Sequence, residues 1–258
     1  MDRSNRRCAG AFGATELAAF VAIAIAASLA ASLAAGCRSI ARREGVNERG
    51  EELLGHSFEG REIRATVLGS GGQSVLIFAV IHGDEPLGAP LVERFTAELR
   101  RRPDLLGGRR VVVIPVLNPD GLARGTRQNA RGVDLNRNFA ARNFSRSAER
   151  GPYPESEPES RILARAIRQF DPRRILAVHA PFHCVNWDGP AGDLARRMAS
   201  SSGYELRPSI GYPTPGSLGS YAGHDLGLAT ITLELPGRAT LDEVWRDLRE
   251  ALEIFVKG

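Results

Sequence analysis

A three-layer α/β/α domain with a central mixed, mostly parallel sheet is predicted by three features of the 258-residue sequence. Short runs rich in Val, Ile and Leu alternate with segments of helical periodicity, the order expected of a sheet covered by helices on both sides. The runs lack the polar alternation of half-exposed strands, so both of their faces are expected to be buried. At 43% hydrophobic and 25% charged residues, the composition is that of one large globular domain, neither disordered nor repetitive.

The elements follow in order. Folded material is expected from Leu53, where "GHSFEGREIRATVLGSGG" alternates between Gly-marked turns and reads as an opening hairpin. "SVLIFAVIHGDEP" is a buried strand stopping at His82. From Gly88 to Arg101, Leu91, Val92, Phe95 and Leu99 recur at helical spacing. A second strand, "RRVVVIPVLNPDG", ends on a turn of Asn, Pro, Asp and Gly. Residues 140–160 read as loop and lead into a helix through "ESRILARAIRQF". "RRILAVHAPFH" repeats the pattern of apolar strand followed by His. After it come a helix over "GDLARRMASSSG", a Gly/Pro-rich loop "SIGYPTPGSLGS" and a buried strand "LATITLELP" ending at Glu234. The last helix, "TLDEVWRDLREALEIFVK", gathers Leu241, Val244, Trp245, Leu248, Leu252 and Phe255 on one face.

The N-terminal 50 residues have a different character. Arg3, Arg6 and Arg7 precede an uncharged Ala/Leu/Ile run that ends in "LAAGC", the plan of an export signal. The ending resembles a bacterial lipobox that would lipidate Cys37, although Ala34 stands where Leu is usual; the run is also long enough for an uncleaved membrane anchor. Residues 1–37 are therefore expected to be a lipoprotein signal, anchor or secretory signal, residues 38–52 a charged tether, and residues 53–258 the folded domain. Each version exports the domain and places it, tethered or free, facing the periplasm or cell wall. The 34 basic and 30 acidic residues are mixed without a basic stripe, which argues against a nucleic-acid partner. Three scattered cysteines, Cys8, Cys37 and Cys184, make neither a disulfide framework nor a thiolate metal site.

Candidate functional groups stand where extended segments stop: His82 with Glu85, Asn136 with Arg137, His179, and Glu234. In open α/β sheets ligands bind beyond the carboxyl ends of the strands, so these groups are expected along one edge. Two His and one Glu with an open fourth position form a catalytic zinc site. His183 is a competing ligand, set back past Pro181. Glu234 closes an apolar strand, where a carboxylate is costly unless paired or used. It reads either as a salt-bridged strand end or as the general base beside a metal-activated water. Cys184 reads as a buried apolar filler, with no adjacent base to activate it.

The ordered set "HGDE", "NPDG", "TRQNARGVDLNRNF", "VHAP" and "TLELP" resembles the zinc metallocarboxypeptidase superfamily. "GHSFEGREI", "HAPFHC" and "GYPTPGSLGS" narrow the resemblance to its bacterial murein peptide amidase branch, the γ-D-glutamyl-diaminopimelate peptidases. The resemblance spans residues 53–245. It implies one Zn²⁺ held by His82, Glu85 and His179, with Glu234 as base and later proton donor. Arg127 would polarise the scissile carbonyl, Asn136 and Arg137 would hold the substrate's terminal carboxylate, and Tyr212 would cap the substrate. Asn138 is expected to be scaffolding. Gly219 falls at the floor of the specificity pocket, and Asn186 and Asp188 stand either as contacts for a second ammonium on the substrate or as a turn. The expected partner is a peptide, of murein type, with the membrane reached through the N-terminal segment. A general metallocarboxypeptidase, a zinc N-acyl amino acid deacylase and an inactive wall-binding module are the alternatives.

Overall fold

The computed structural model describes residues 50–258. The expected export signal or anchor at 1–37, and the tether up to residue 49, lie outside the described residues. The first strand, β1 (Glu51–His56), begins within the last residues assigned to the tether, and pairs antiparallel with β2 (Glu62–Leu68) as the expected hairpin.

The sheet is completed by β3 (Ser74–Ala79), β4 (Arg110–Ile114), β5 (Pro172–His179), β6 (Phe182–Asp188), β7 (Glu205–Arg207) and β8 (Ala229–Pro236), in the order β1-β2-β4-β3-β5-β8-β6-β7. The central block β4-β3-β5-β8 is parallel, whereas β2 joins β4 and β6 joins β8 antiparallel. The sheet is thus mixed, with the parallel strands in the middle.

Period-two alternation sorts the strand side chains between two layers. On one face Val75, Ile77, Val111, Val113, Leu176, Val178, Ile231 and Leu233 pack with three helices: α1 (Gly88–Arg101), α4 (Gly192–Ser202) and α5 (Leu241–Lys257). On the other, Leu76, Phe78, Val112, Ile114, Ile175 and Ala177 pack with α3 (Pro158–Phe170), Ile63 of the hairpin, and Phe139 and Tyr221 of two connecting segments. Strands β3 and β4 are buried on both faces and nearly continuously apolar, whereas β8 alternates, with Ile231 and Leu233 in the core and Thr232 and Glu234 toward the cleft. A fully buried aliphatic side chain contributes roughly 1.5–3 kcal/mol here, and deletion adds the cost of a cavity.

Local chemistry ends the elements where the periodicity does. Thr240 Oγ1 accepts from Glu243 N at 3.3 Å while Glu243 Oε2 accepts from Thr240 N at 2.7 Å, a capping box that starts α5. The Asn-Pro-Asp-Gly turn after β4 goes further than the sequence suggests. Asn118 Oδ1 accepts from Gly121 N at 2.8 Å, Pro119 occupies the first turn, and a short helix α2 (Pro119–Arg124) forms. The stretch "FHCVNWD" is strand β6 rather than loop, because its alternation places Val185 and Trp187 against the core while Asn186 faces the cleft. Among the described residues no helix is long and apolar enough to cross a membrane.

Candidate zinc site and active-site cleft

Two of the polar motifs interlock to place His82. Beyond β3 the chain turns at Val80, with φ of 52°, and stays pinned by the segment after β4. Leu117 N donates to Ala79 O at 3.2 Å, Asn118 N to Val80 O at 2.9 Å, and Asn118 Nδ2 to Ile81 O at 3.2 Å. Gly83 of "HGDE" then lies directly against the backbone of Gly121 in "NPDG", so that a Cβ on Gly83 would overlap it. Gly83 is fixed by this close approach of two backbones, and Gly121 by the Asn118 side chain and the Gln128 carbonyl, which a Cβ there would overlap.

His179 is the last residue of β5 and stands in parallel register with Glu234 of β8, so neighbouring strands deliver both to the same edge. His82 Nδ1 is 2.8 Å from Glu85 Oε1, His179 Nδ1 is 3.0 Å from Glu85 Oε2, and the two imidazole nitrogens lie 3.2 Å apart. The donor atoms of His82, Glu85 and His179 all fall within 4.8 Å of one another. This set fits one zinc ion. The far nitrogen of His82, Nε2, is 3.1 Å from Asp134 Oδ1, which favours the Nε2–H tautomer and leaves the Nδ1 lone pair facing the cluster. Burial opposes ionisation of Glu85, yet the neighbouring His179 and His82 hold its pKa well below the usual carboxylate range.

Asp134, not among the residues expected at the site, ties it together. Its Oδ1 also accepts from Asn136 N at 2.9 Å, and its Oδ2 accepts from Arg127 Nε at 3.1 Å. Arg127 Nη1 reaches Glu85 Oε1 at 3.4 Å, which closes a ring through His82, Asp134, Arg127 and Glu85. Despite its burial, Asp134 keeps a depressed pKa through His82 and Arg127. Its place in "VDLNR", an acid between two apolar residues, was the available signal.

Asn136 and Arg137 do not follow a strand, as their extended-looking lead-in implied. They lie in a single 3₁₀ turn, Leu135–Arg137, because Asp134 caps it and supplies the backbone partners a strand ladder would have supplied. Asn136 Oδ1 accepts from Leu218 N at 2.9 Å, which orients its amide. Arg137 Nη1 donates to Asn136 O at 2.7 Å, and no carboxylate among the described residues pairs with its guanidinium. Asn138 is fully engaged in scaffolding: Nδ2 donates to Arg150 O at 2.7 Å and Ser156 Oγ at 3.0 Å, and Oδ1 accepts from Glu157 N at 3.1 Å. A further anchor escaped the sequence reading. Asn129 Nδ2 donates to the buried carboxylates of Glu157 and Glu159 at 2.9 and 3.2 Å, fastening the Arg127 loop to the start of α3.

Glu234 is 5% exposed, and Phe182 N is 3.4 Å from its Oε2. Burial raises its pKa, with the His179 charge opposing, so the carboxylate binds a proton more readily than an ordinary Glu. No salt bridge holds it among the described residues, which removes the alternative of a paired strand end. His82, Glu85, Arg127, Asn136, Arg137, His179, Tyr212 and Glu234 all line one cleft of about 330 Å³. Tyr212 stands 46% exposed at its mouth. His183 is outside the metal cluster, with its ring edge-on to Tyr204 at 4.2 Å. Cys184 is fully buried, and burial pushes its thiol up to about 11, so it is no nucleophile.

Residues 51–187 match the zinc carboxypeptidase family. Murein peptide amidase A of Escherichia coli K12 is 38% identical over 180 residues, covering 64% of this chain and 72% of the relative. The Vibrio campbellii protein of the same name is 30% identical over 178 residues, covering 62% and 68%. Among solved structures, murein-tripeptide amidase from Escherichia coli O157 is 30% identical with a TM-score of 0.66, covering 85% of this chain and 96% of that one. Carboxypeptidase A of Helicoverpa armigera, at 20% identity and a TM-score of 0.68 over 81% and 68% of the chains, shares the fold. With the His, Glu, His cluster at the strand ends, these similarities make the chain a one-zinc metallopeptidase that belongs to the zinc carboxypeptidase family.

Proposed function

We propose that this peptidase hydrolyses the amide between γ-D-glutamate and diaminopimelate in murein peptides, acting outside the cytoplasm from an N-terminal membrane tether. The carrying observation is that one cleft joins a buried His82, Glu85, His179 cluster to the Arg137 guanidinium, which has no carboxylate partner among the described residues. The first can hold a zinc ion and the second a free carboxylate. The 38% identity to a murein peptide amidase supports the choice of substrate class. The signal-like composition of residues 1–37 supports export.

His82, Glu85 and His179 would hold the zinc ion, which would supply Lewis acidity toward a water and a carbonyl oxygen. The chain's own groups do the rest. Arg137, with a planar fork of donors, binds the substrate's carboxylate, and the amide of Asn136 joins it. Arg127, steadied by Asp134 and Glu85, offers its remaining N–H groups to the carbonyl oxygen as charge grows there; such a donor is worth on the order of 3 kcal/mol. Glu234 takes a proton from the attacking water at a carboxylate oxygen and returns it to the leaving nitrogen, acting first as general base and then as general acid. Tyr212 closes the exposed side of the cleft over the bound peptide.

Incubating the full chain, loaded with Zn²⁺, with L-Ala-γ-D-Glu-diaminopimelate is expected to release free diaminopimelate. Release of ordinary C-terminal residues from α-linked peptides, without diaminopimelate, would reject this substrate. Mass spectrometry of the mature N-terminus tests export, and an intact Met1 in a soluble cytoplasmic fraction would reject it.

A further inference from the structure

Beyond the zinc and carboxylate-binding groups the cleft continues along β6 to Asp188. Strand alternation turns Val185 and Trp187 toward the core, and Asn186 and Asp188 both line the cleft. The two are not equivalent. Asn186 is 7% exposed and its Nδ2 is occupied, donating to Arg207 O at 2.8 Å. Among the described residues Asp188 has one charged partner, His224, whose Nε2 lies 3.0 Å from Oδ1 and whose own side chain is 66% exposed.

Gly219 explains how that carboxylate reaches the cleft. A Cβ at Gly219 would overlap Asp188 Oδ2, and one at Gly223 would overlap its Cβ. The helical turn Gly219–Asp225 therefore packs over Asp188 only because both positions lack side chains, and the same turn carries His224. Position 219 is thus filled by the acid of a neighbouring strand.

Spacing matches an elongated substrate side chain. Asp188 pairs with Thr230 of β8, while Glu234 pairs with Cys184, so the two carboxylates are four ladder positions apart, about 13 Å along the strands. Thr232, between them, also lines the cleft.

We infer that Asp188 and His224 form a subsite for a second amino-acid centre on the substrate, Asp188 accepting from its ammonium and His224 donating to its carboxylate. This deepens the reading above and rests on it for the identity of the substrate. The exchange is balanced in hydrogen bonds. The ammonium takes the place of His224 Nε2 at Asp188, and the freed imidazole N–H donates to the carboxylate on the same carbon. A lysine side chain, carrying only the ammonium, would engage Asp188 alone, and an alanine side chain neither. Burial raises the pKa of Asp188 against the opposing charge of His224, consistent with a carboxylate that one exposed partner satisfies incompletely.

The test measures kcat/KM for three γ-D-glutamyl peptides ending in diaminopimelate, Lys or Ala, in the zinc-loaded full chain and two variants. Asp188→Asn is expected to reduce the diaminopimelate-to-Ala and Lys-to-Ala preference ratios roughly 10- to 100-fold. His224→Ala is expected to reduce the diaminopimelate-to-Lys ratio and to leave Lys-to-Ala in place. Zinc content and circular dichroism check that both variants fold. Ratios unchanged by Asp188→Asn, with diaminopimelate still released, would overturn the subsite and leave the proposed function standing. If no γ-linked peptide is cleaved, the same three residues on α-linked acyl dipeptides read the subsite independently. A retained dependence on Asp188 would then support the subsite while the murein reading fails.

Discussion

The metal end of the cleft and its recognition end are built on opposite terms. At the metal end His82, Glu85, Asp134 and Arg127 form a closed ring in which each acid contacts at least two cationic or polar partners. At the recognition end Arg137 has no carboxylate partner among the described residues, Tyr212 is half exposed, and Asp188 has only exposed His224. The difference teaches where preorganisation matters. Groups that act on a developing charge gain from being fixed before substrate arrives, whereas groups that bind a charged ligand must keep donors or acceptors free for it.

The largest effect is expected at Glu234, the group proposed to handle protons, where a substitution can spare the metal. Glu234→Gln is expected to lower kcat by roughly 10²- to 10⁴-fold. Zinc stoichiometry, measured by atomic absorption, should stay at one per chain. Retained turnover would remove Glu234 from its role. Next in size, Asp134→Asn leaves the ligands in place but weakens the acceptor on His82 and the tie to Arg127. It is expected to weaken zinc binding about 10- to 100-fold, read by competition with a chelator. Unaltered affinity would mean that His82 needs no orienting partner.

At the recognition end, Arg137→Ala should act on affinity and leave the metal untouched. A charge-assisted contact of about 1.5–3 kcal/mol corresponds to a rise in KM of roughly 10- to 100-fold for peptides with a free terminal carboxylate. Amidated peptides, which never made the contact, should change far less. Equal loss on both would place Arg137 in the scaffold with Asn138.

The same contrast governs what the sequence could reveal. Groups at the ends of apolar strands were legible, because His179 and Glu234 stand as polar residues where strands rich in Val, Ile and Leu stop. Helix α1 was legible to its end residues for a similar reason, its apolar stripe being complete. Asp134, Glu157 and Glu159 were not. Their roles depend on long-range partners, His82 lying 52 positions from Asp134 and Asn129 lying 28 and 30 from the two glutamates. Local spacing carries no record of such pairings. β6 was missed because its cleft-facing residues are polar and a proline precedes it, which reads as loop until β8 supplies the antiparallel partner. The opening of β1 at Glu51 was missed because charged residues on an edge strand look like tether.

The smallest effect sharpens the comparison without substrate. In the metal-free protein Glu234 has a raised pKa, so its stabilising, protonated state is fully present below the unfolded value and is lost as pH rises through the folded one. Glu85 and Asp134 have depressed pKa values, so their contribution is present above the unfolded value and is lost as pH falls toward the folded one. Glu234→Gln should therefore leave the metal-free Tm unchanged in acid, raise it increasingly as pH climbs from the unfolded toward the folded pKa of Glu234, and hold that gain at higher pH, since an amide carries no charge to bury. Differential scanning calorimetry across pH 4 to 8, with chelator present, reads the difference. Zinc should shrink it, because a nearby dication favours the ionised carboxylate and offsets the cost of burying it. A gap that does not depend on pH would mean that Glu234 influences stability through packing rather than through the burial of its charge.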